Sequence, residues 1–296
     1  MNPSFLRLTL TLAAGVVAIA FGSIFVRFSQ EAPSLTIAFY RMAWAALLML
    51  PFYGWRRLRK GWTILEPWTP LAGIILALHF AFWIASLKYT TVAVSVLLVN
   101  TAPVVVAAVS HFGLREKMAW PGWLGLGLSF CGSAWLVWSD LRLLGSWKGA
   151  LLALAGAWML GLYLLIGGMV RRRRSLIEYV YPVYFIAALT LLVLAVAWGG
   201  KLTGFSWSTH GSLLLLGLVP QCIGHSSYNW ALRYLSAVLI SALVLAEPLL
   251  ATLLAWWLLS EAVAPTVVPG GALVLSGILL VTVQQTRIRG EREAPA

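Results

Sequence analysis

The sequence predicts an all-α polytopic membrane protein with ten transmembrane helices, arranged as two inverted five-helix repeats around a central cavity. Three observations predict it. Of 296 residues, 61% are hydrophobic and 10% charged, against about 25% charged in an ordinary soluble domain. The apolar runs are each roughly 20 residues long, the length a helix needs to cross a bilayer core. The chain also repeats itself at an offset of about 145 residues, as in Pro103 and Pro248.

Unpaired backbone groups are costly in lipid, and the runs lack the in-out alternation of barrel strands, so helices are the spanning element. Spans are expected near 6–27, 34–53, 68–88, 92–112, 120–139, 147–169, 179–198, 210–232, 236–258 and 267–286. The first carries only Arg7 at its start and no small-residue cleavage site, so it reads as a retained span rather than a signal peptide. Two pairs of runs meet almost without a loop, at Lys88-Tyr89-Thr90-Thr91 and Arg233-Tyr234-Leu235-Ser236. One continuous helix would overshoot the bilayer at either place, so a tight hairpin is expected. Cys131 and Cys222 lie inside spans, away from any His or Cys at metal spacing, which argues against a disulfide or a zinc site.

The formal net charge is +12, but its distribution says more than its total. With loops assigned alternately, one side holds Arg7, Arg56, Arg57, Arg59, Lys60, Arg115, Lys117, Arg171 to Arg174, Arg233, Arg287, Arg289 and Arg292, fifteen in all. The other holds Arg27, Lys88, Arg142, Lys148 and Lys201, and Arg41 lies within the second span. The positive-inside rule then puts both termini in the cytoplasm. The basic runs read as topology anchors that touch anionic membrane lipids, not as a nucleic-acid surface.

Sliding the chain by about 145 residues aligns Leu87, Lys88 and Tyr89 with Leu232, Arg233 and Tyr234. It also aligns Pro103 with Pro248, Glu116 with Glu261, Gly125 with Gly270 and Gly132 with Gly277, without a gap. No such match is visible between the first two spans and the sixth and seventh. An odd number of spans per repeat makes the second copy enter from the opposite side, the basis of alternating access. Unit boundaries follow at 1–142, 143–286 and a basic cytoplasmic tail, 287–296.

These paired hairpins, the Pro and Glu of each fourth span and the Gly-rich fifth spans resemble the drug/metabolite transporter superfamily, EamA type. Within it, the length and the His- and Trp-rich spans are most similar to YddG-type amino acid exporters. The resemblance implies a central cavity between the repeats and export of small metabolites, amino acids foremost, from the bacterial inner membrane. A monomer that needs no cofactor is expected.

Ionisable and amide side chains within spans are costly and mark the candidate site. Gln221, His225 and Asn229 are spaced by four, so on an α-helix they share one face. His79 and His225 fall one position apart when the repeats are superposed, and bind a carboxylate or relay a proton; either one is equally well an interhelical hydrogen-bonding residue. Asn100, Ser241 and Glu247 lie on the fourth and ninth spans. Glu247 pairs with a substrate ammonium, carries a proton, or forms an ion pair with Arg41 or His225. Pro103 and Pro248 deny a hydrogen bond to the carbonyls of Val99 and Val244, which exposes polar backbone or merely kinks each helix. Arg41, in Phe-Tyr-Arg-Met-Ala, reads first as a residue that holds helix ends or carbonyls.

Trp83, Trp158 and Tyr163 fall deeper in their spans, where they wall a cavity for an apolar side chain or face lipid. Trp62, Trp68, Trp120, Trp123, Trp138, Trp147 and Trp207 fall near span ends and read as interface anchors. Gly122, Gly125, Gly132, Gly270, Gly271 and Gly277 are spaced for close helix packing. No phosphate-binding Gly-x-x-x-x-Gly-Lys-Ser/Thr loop is present, so transport would draw on a gradient. A phosphorylated substrate would want several cavity cations, and the spans offer Arg41 alone. An intramembrane enzyme and a non-transporting membrane subunit are the readings from other classes.

Overall fold

The computed structural model describes residues 3–61, 65–90, 92–114, 118–136, 147–259 and 267–293. Its helices are α1 (Phe5–Phe28), α2 (Ser34–Lys60), α3 (Trp68–Ser86), α4 (Val92–Val99), α5 (Ala102–Ala108), α6 (Trp120–Leu136), α7 (Trp147–Arg171), α8 (Leu176–Ala197), α9 (Trp207–Leu216), α10 (Ser226–Ala231), α11 (Ala237–Val244), α12 (Glu247–Leu259) and α13 (Val267–Glu293). A π-helix, Val109–Gly113, ends α5, and another, Gly217–His225, joins α9 to α10. No strand occurs among the described residues. Among the described residues, eight helical segments are long and apolar enough to cross a membrane. The other two expected spans are helical as well: α6 has 17 described residues, and α9 to α10 passes through its π-helix. Glu116, Glu261, Arg115, Lys117, Arg142, Trp62 and Trp138 lie outside the described residues.

Serines start several helices by accepting the otherwise unpaired N–H groups of the first turn. Ser4 accepts from Arg7 N, Ser206 from Thr209 N and Ser236 from Leu239 N. Both expected hairpins are present, as turns at Leu87–Thr90 and Leu232–Leu235. The expected fourth and ninth spans are each broken in two. The first break is at Asn100 and Thr101, between α4 and α5; the second is at Leu245 and Ala246, between α11 and α12. Adding the repeat offset to the first break gives the second.

Packing follows the same exchange. Helices α6 and α13 cross antiparallel at their glycines: a Cβ on Gly125 would meet the Gly277 carbonyl, and one on Gly132 the Gly270 carbonyl. The offset turns either contact into the other. At the crossing, Ser129 Oγ donates to the Val274 carbonyl at 3.1 Å across 145 residues, so one position of the repeat touches its own counterpart. Elsewhere α3 packs on α7 while α1 packs on the Gly217–His225 π-helix. Gly156 of α7 lies against the backbone of His79 and Trp83, and Gly15 of α1 against Gly224 and Ser227. Gly15 and Gly156 are thus counterparts at a slightly smaller spacing than 145. That change of register hides the match between first and sixth spans from an ungapped comparison.

The ends of the bundle are tied by polar side chains. Glu31, in the α1–α2 loop, accepts from Ser206 N at 2.9 Å, Ser206 Oγ at 2.8 Å and Thr209 Oγ1 at 2.7 Å. Beside it, Thr36 donates to the Lys201 carbonyl and Tyr40 to the Leu202 carbonyl. At the other ends of α2 and α8, Arg56 pairs with Glu178 at 3.1 Å, and Arg174 pairs with Glu66 at 3.3 Å. Arg171 is buried, and its Nε donates to the Asn229 carbonyl at 2.8 Å. The basic run expected as a topology anchor is therefore partly structural. Trp68, Trp120, Trp147 and Trp207 are exposed near helix ends, while Trp123 is half-buried against the core.

Two outcomes follow. Gly277→Val drives methyl groups into the Gly125 carbonyl and Ser129, costing about 1–3 kcal/mol of overpacking. The melting temperature of the purified protein in detergent falls, whereas Gly127→Val, with open space at its Cβ, leaves it unchanged. Glu31 is held at a pKa of about 2, against an ordinary 4.5, by the Ser206 N–H first, then by the Thr209 and Ser206 hydroxyls, with Lys201 adding a smaller pull. Its folded pKa is depressed, so its stabilisation is complete above the ordinary value and is lost as pH falls from about 4.5 through about 2. The protection factors of the Ser206 and Thr209 amides against hydrogen exchange fall over that window in the wild type, and Glu31→Gln shows the reduced protection at every pH.

Candidate functional site

A cavity opens where the two broken spans meet α1, α2, α3, α7 and α10. Ile19, Arg41, His79, Phe80, Trp83, Val99, Leu160, His225, Tyr228, Val244 and Glu247 line it. The centre of a water-sized sphere has about 30 Å³ to move in, space for about two waters at ~10–15 Å³ each. A metabolite therefore enters only when the lining helices separate.

Residues beside both helix breaks line this wall. The turn bonds that close them run from Thr101 N to the Leu98 carbonyl and from Ala246 N to the Leu243 carbonyl. None of these bonds reaches the carbonyl of Val99 or Val244, whose α-helical donors would be Pro103 and Pro248. Both valines line the cavity. Glu247 opens α12 beside the second break, is 6% exposed, and makes no hydrogen bond or ion pair among the described residues.

Arg41 comes from α2 and is 2% exposed. Its Nε donates to Gln221 Oε1 at 2.9 Å, and its guanidinium lies over the Phe80 ring at 4.0 Å. Trp83 is the next aromatic face, at 5.9 Å. Arg41 and Glu247 thus line one cavity without forming an ion pair within 4.0 Å. Of the imidazoles, His79 Nδ1 bonds the Gly156 carbonyl at 2.9 Å, while His225 Nδ1 is buried without a partner. The Phe80 ring touches both, 4.6 Å from His79 and 5.5 Å from His225 by ring centres.

The π-helix redistributes the polar residues of its span. Pro220 cannot donate to the preceding turn, and the wider i to i+5 turn accommodates it. Gln221, His225 and Asn229 consequently serve three places rather than one face. Gln221 reaches Arg41, and His225 lines the cavity. Asn229 turns away, its Nδ2 donating to Tyr163 Oη at 2.6 Å and to the His225 carbonyl at 2.7 Å.

The expected site residues therefore separate into groups. His79, Trp83, His225 and Glu247 line the cavity, with Gln221 directly behind Arg41. Tyr163 is buried outside the lining on Asn229, and Ser241 Oγ donates to the Val238 carbonyl of its own helix at 2.9 Å. Asn100 is fully buried at the first break, its Oδ1 and Nδ2 both unpartnered. Trp158 is 55% exposed on the outer surface of α7, so the small residues around it bring α7, not the indole, close to α3. Phe80 and Tyr228 join the lining unforeseen, because apolar and aromatic residues fill both faces of their spans. Arg41 carried a readable signal, a lone cation inside a span.

Comparison with known proteins follows the same outline. The sequence model of the EamA-like transporter family matches residues 7–138 and again 147–283. An uncharacterized transporter of Archaeoglobus fulgidus is 25% identical over 291 residues, covering 93% of this chain and 97% of its own. The uncharacterized transporter YwfM of Bacillus subtilis is 27% identical over 75% of each chain. A protein of Streptantibioticus cattleyicolor named "Probable terminal-alkyne amino-acid exporter" is 26% identical over 67% of each. A crystal structure 18% identical in sequence superposes with a TM-score of 0.81 over 96% of this chain and 99% of that one.

Gln221→Leu removes the one hydrogen bond that the Arg41 guanidinium makes among the described residues. A hydrogen bond to a charged group is worth about 2 kcal/mol, so thermal unfolding in detergent occurs at a lower temperature. Gln221→Glu, which keeps an acceptor there, retains the wild-type midpoint.

Proposed function

Because the chain belongs to the EamA-like transporter family, we propose that it exports small metabolites, neutral and aromatic amino acids foremost, across the inner membrane by alternating access. The observation that carries this reading is the cavity at the two facing helix breaks. There a buried acid, a buried base, two imidazoles and three aromatic rings meet beside two helix breaks. Carbonyls and a carboxylate suit an ammonium group, a guanidinium suits a carboxylate, and the rings suit an apolar side chain. The "Probable terminal-alkyne amino-acid exporter" among the relatives points the same way.

The reading includes ten crossings in two inverted units, 1–142 and 143–286. The two stretches matched by the family model support it, as do the paired breaks and the self-exchanging contact of α6 with α13. Inverted units that swap conformations would open the cavity first to one side and then to the other. The charge asymmetry of the loops supports cytoplasmic termini. A single cation at the cavity suits one carboxylate better than a chain of phosphates.

Proteoliposomes loaded with labelled amino acids test this. Wild-type vesicles release neutral amino acids faster than protein-free vesicles; equal rates would count against export. The double change His79→Ala and His225→Ala lowers release about tenfold, a loss of ~1.4 kcal/mol of barrier stabilisation, while the protein stays folded. Release driven by an imposed pH gradient assigns proton antiport, and indifference to it assigns uniport.

A further inference from the structure

We infer that Arg41 and Glu247 form a divided charge receptor that requires both charges of a zwitterion on one substrate, with Gln221 as the positioning residue that keeps the receptor open. The inference rests on the amino-acid reading above and deepens it.

Two opposite side-chain charges in one desolvated cavity attract strongly. Were they to close on each other, a substrate would have to break a buried ion pair to enter. Here they do not close. The Nε bond to Gln221 and the stacking on Phe80 hold the guanidinium on the α3 and π-helix side of the cavity. On the first helix Gly22 presents no side chain; a Cβ there would lie 3.8 Å from Arg41 Nη1 and 3.9 Å from Trp83 Cη2. The two terminal nitrogens of Arg41 make no hydrogen bond among the described residues, and neither does the Glu247 carboxyl.

Glu247 is placed by the second helix break, which also frees the Val244 carbonyl next to it. The ammonium subsite is thus the Glu247 carboxyl, with Val244 on the same span and Val99 on the other lining the same cavity. A neutral α-amino acid complements both subsites at once, with its carboxylate on the Arg41 terminal nitrogens. An amine leaves Arg41 unpaired and a simple carboxylic acid leaves Glu247 unpaired. Each is thereby rejected by an uncompensated buried charge rather than by shape. Phe80, Trp83 and Tyr228 remain for the side chain.

The experiment is a binding series on the purified full-length protein by titration calorimetry. It uses the neutral amino acid that proteoliposomes release fastest, its carboxamide, and its deaminated acid. Wild-type protein binds the amino acid at least about tenfold more tightly than either analogue, the scale of one lost charge partner. Arg41→Gln closes the gap between amino acid and carboxamide but keeps the gap to the deaminated acid. Glu247→Gln does the reverse. Wild-type affinities that are equal for the amino acid and either analogue overturn the receptor, whether or not the variants fold. So does a variant that weakens all three ligands by one common factor. Either result, together with sustained amino-acid release from wild-type vesicles, leaves the export reading intact. If wild-type vesicles release no amino acid at all, the export reading fails and the receptor falls with it.

Discussion

Lipid cannot hydrogen-bond a backbone carbonyl, so a helix that breaks within a membrane must break against protein or a polar cavity. Two spans break here, at Asn100 with Thr101 and at Leu245 with Ala246. The prolines that follow remove the donors that would have continued each helix. The central cavity lies beside these breaks, and Val99 and Val244, whose carbonyls lack α-helical donors, are among its lining residues. Most other features of the core hold neighbouring helices close enough to keep that backbone out of lipid. Gly156 lets α7 approach the His79 turn, and Gly15 lets α1 approach the π-helix.

The glycine crossing of α6 with α13 has a complementary role. Backbones in contact leave no side chains to reshape, so this pair forms a stiff seam whose two sides are related by the repeat offset. The latches at the bundle ends are of a different kind. Glu31 on the Ser206 turn, Arg56 on Glu178 and Arg174 on Glu66 are exposed or half-buried polar contacts, each breakable at modest cost. A stiff seam with weak end contacts suits a molecule whose cavity, at its present size, admits water but no metabolite.

Some of the site could be read from the residues alone. Proline inside a long apolar run reports a missing donor whatever the packing, but exposed backbone and a mere kink stayed open at Pro103 and Pro248; the structure breaks the helix before each, whereas Pro51 and Pro182 sit inside continuous helices. His79, His225 and Glu247 stand out because ionisable groups are rare in spans. Other expectations depended on a helical period that the chain does not keep. The π-helix around Pro220 turns Gln221, His225 and Asn229 toward three different partners, and α-helical spacing could not anticipate it. Trp158 takes the outward-facing alternative for a related reason: small neighbours on a helix predict close approach but not which side of the tryptophan faces the partner.

The sequence by itself determined that the chain crosses a membrane repeatedly, that its third to fifth spans resemble its eighth to tenth, and that the carbonyls of Val99 and Val244 lack their α-helical donors. These follow from composition, spacing and the missing proline donor, which are properties of the chain read along its length. Tertiary structure decided which polar groups meet. It put Arg41 and Glu247 into one cavity without pairing them, and it matched Gly15 with Gly156 across a shifted register. Those outcomes depend on helix rotation and crossing, which are set by contacts between residues on different helices, far apart in the chain.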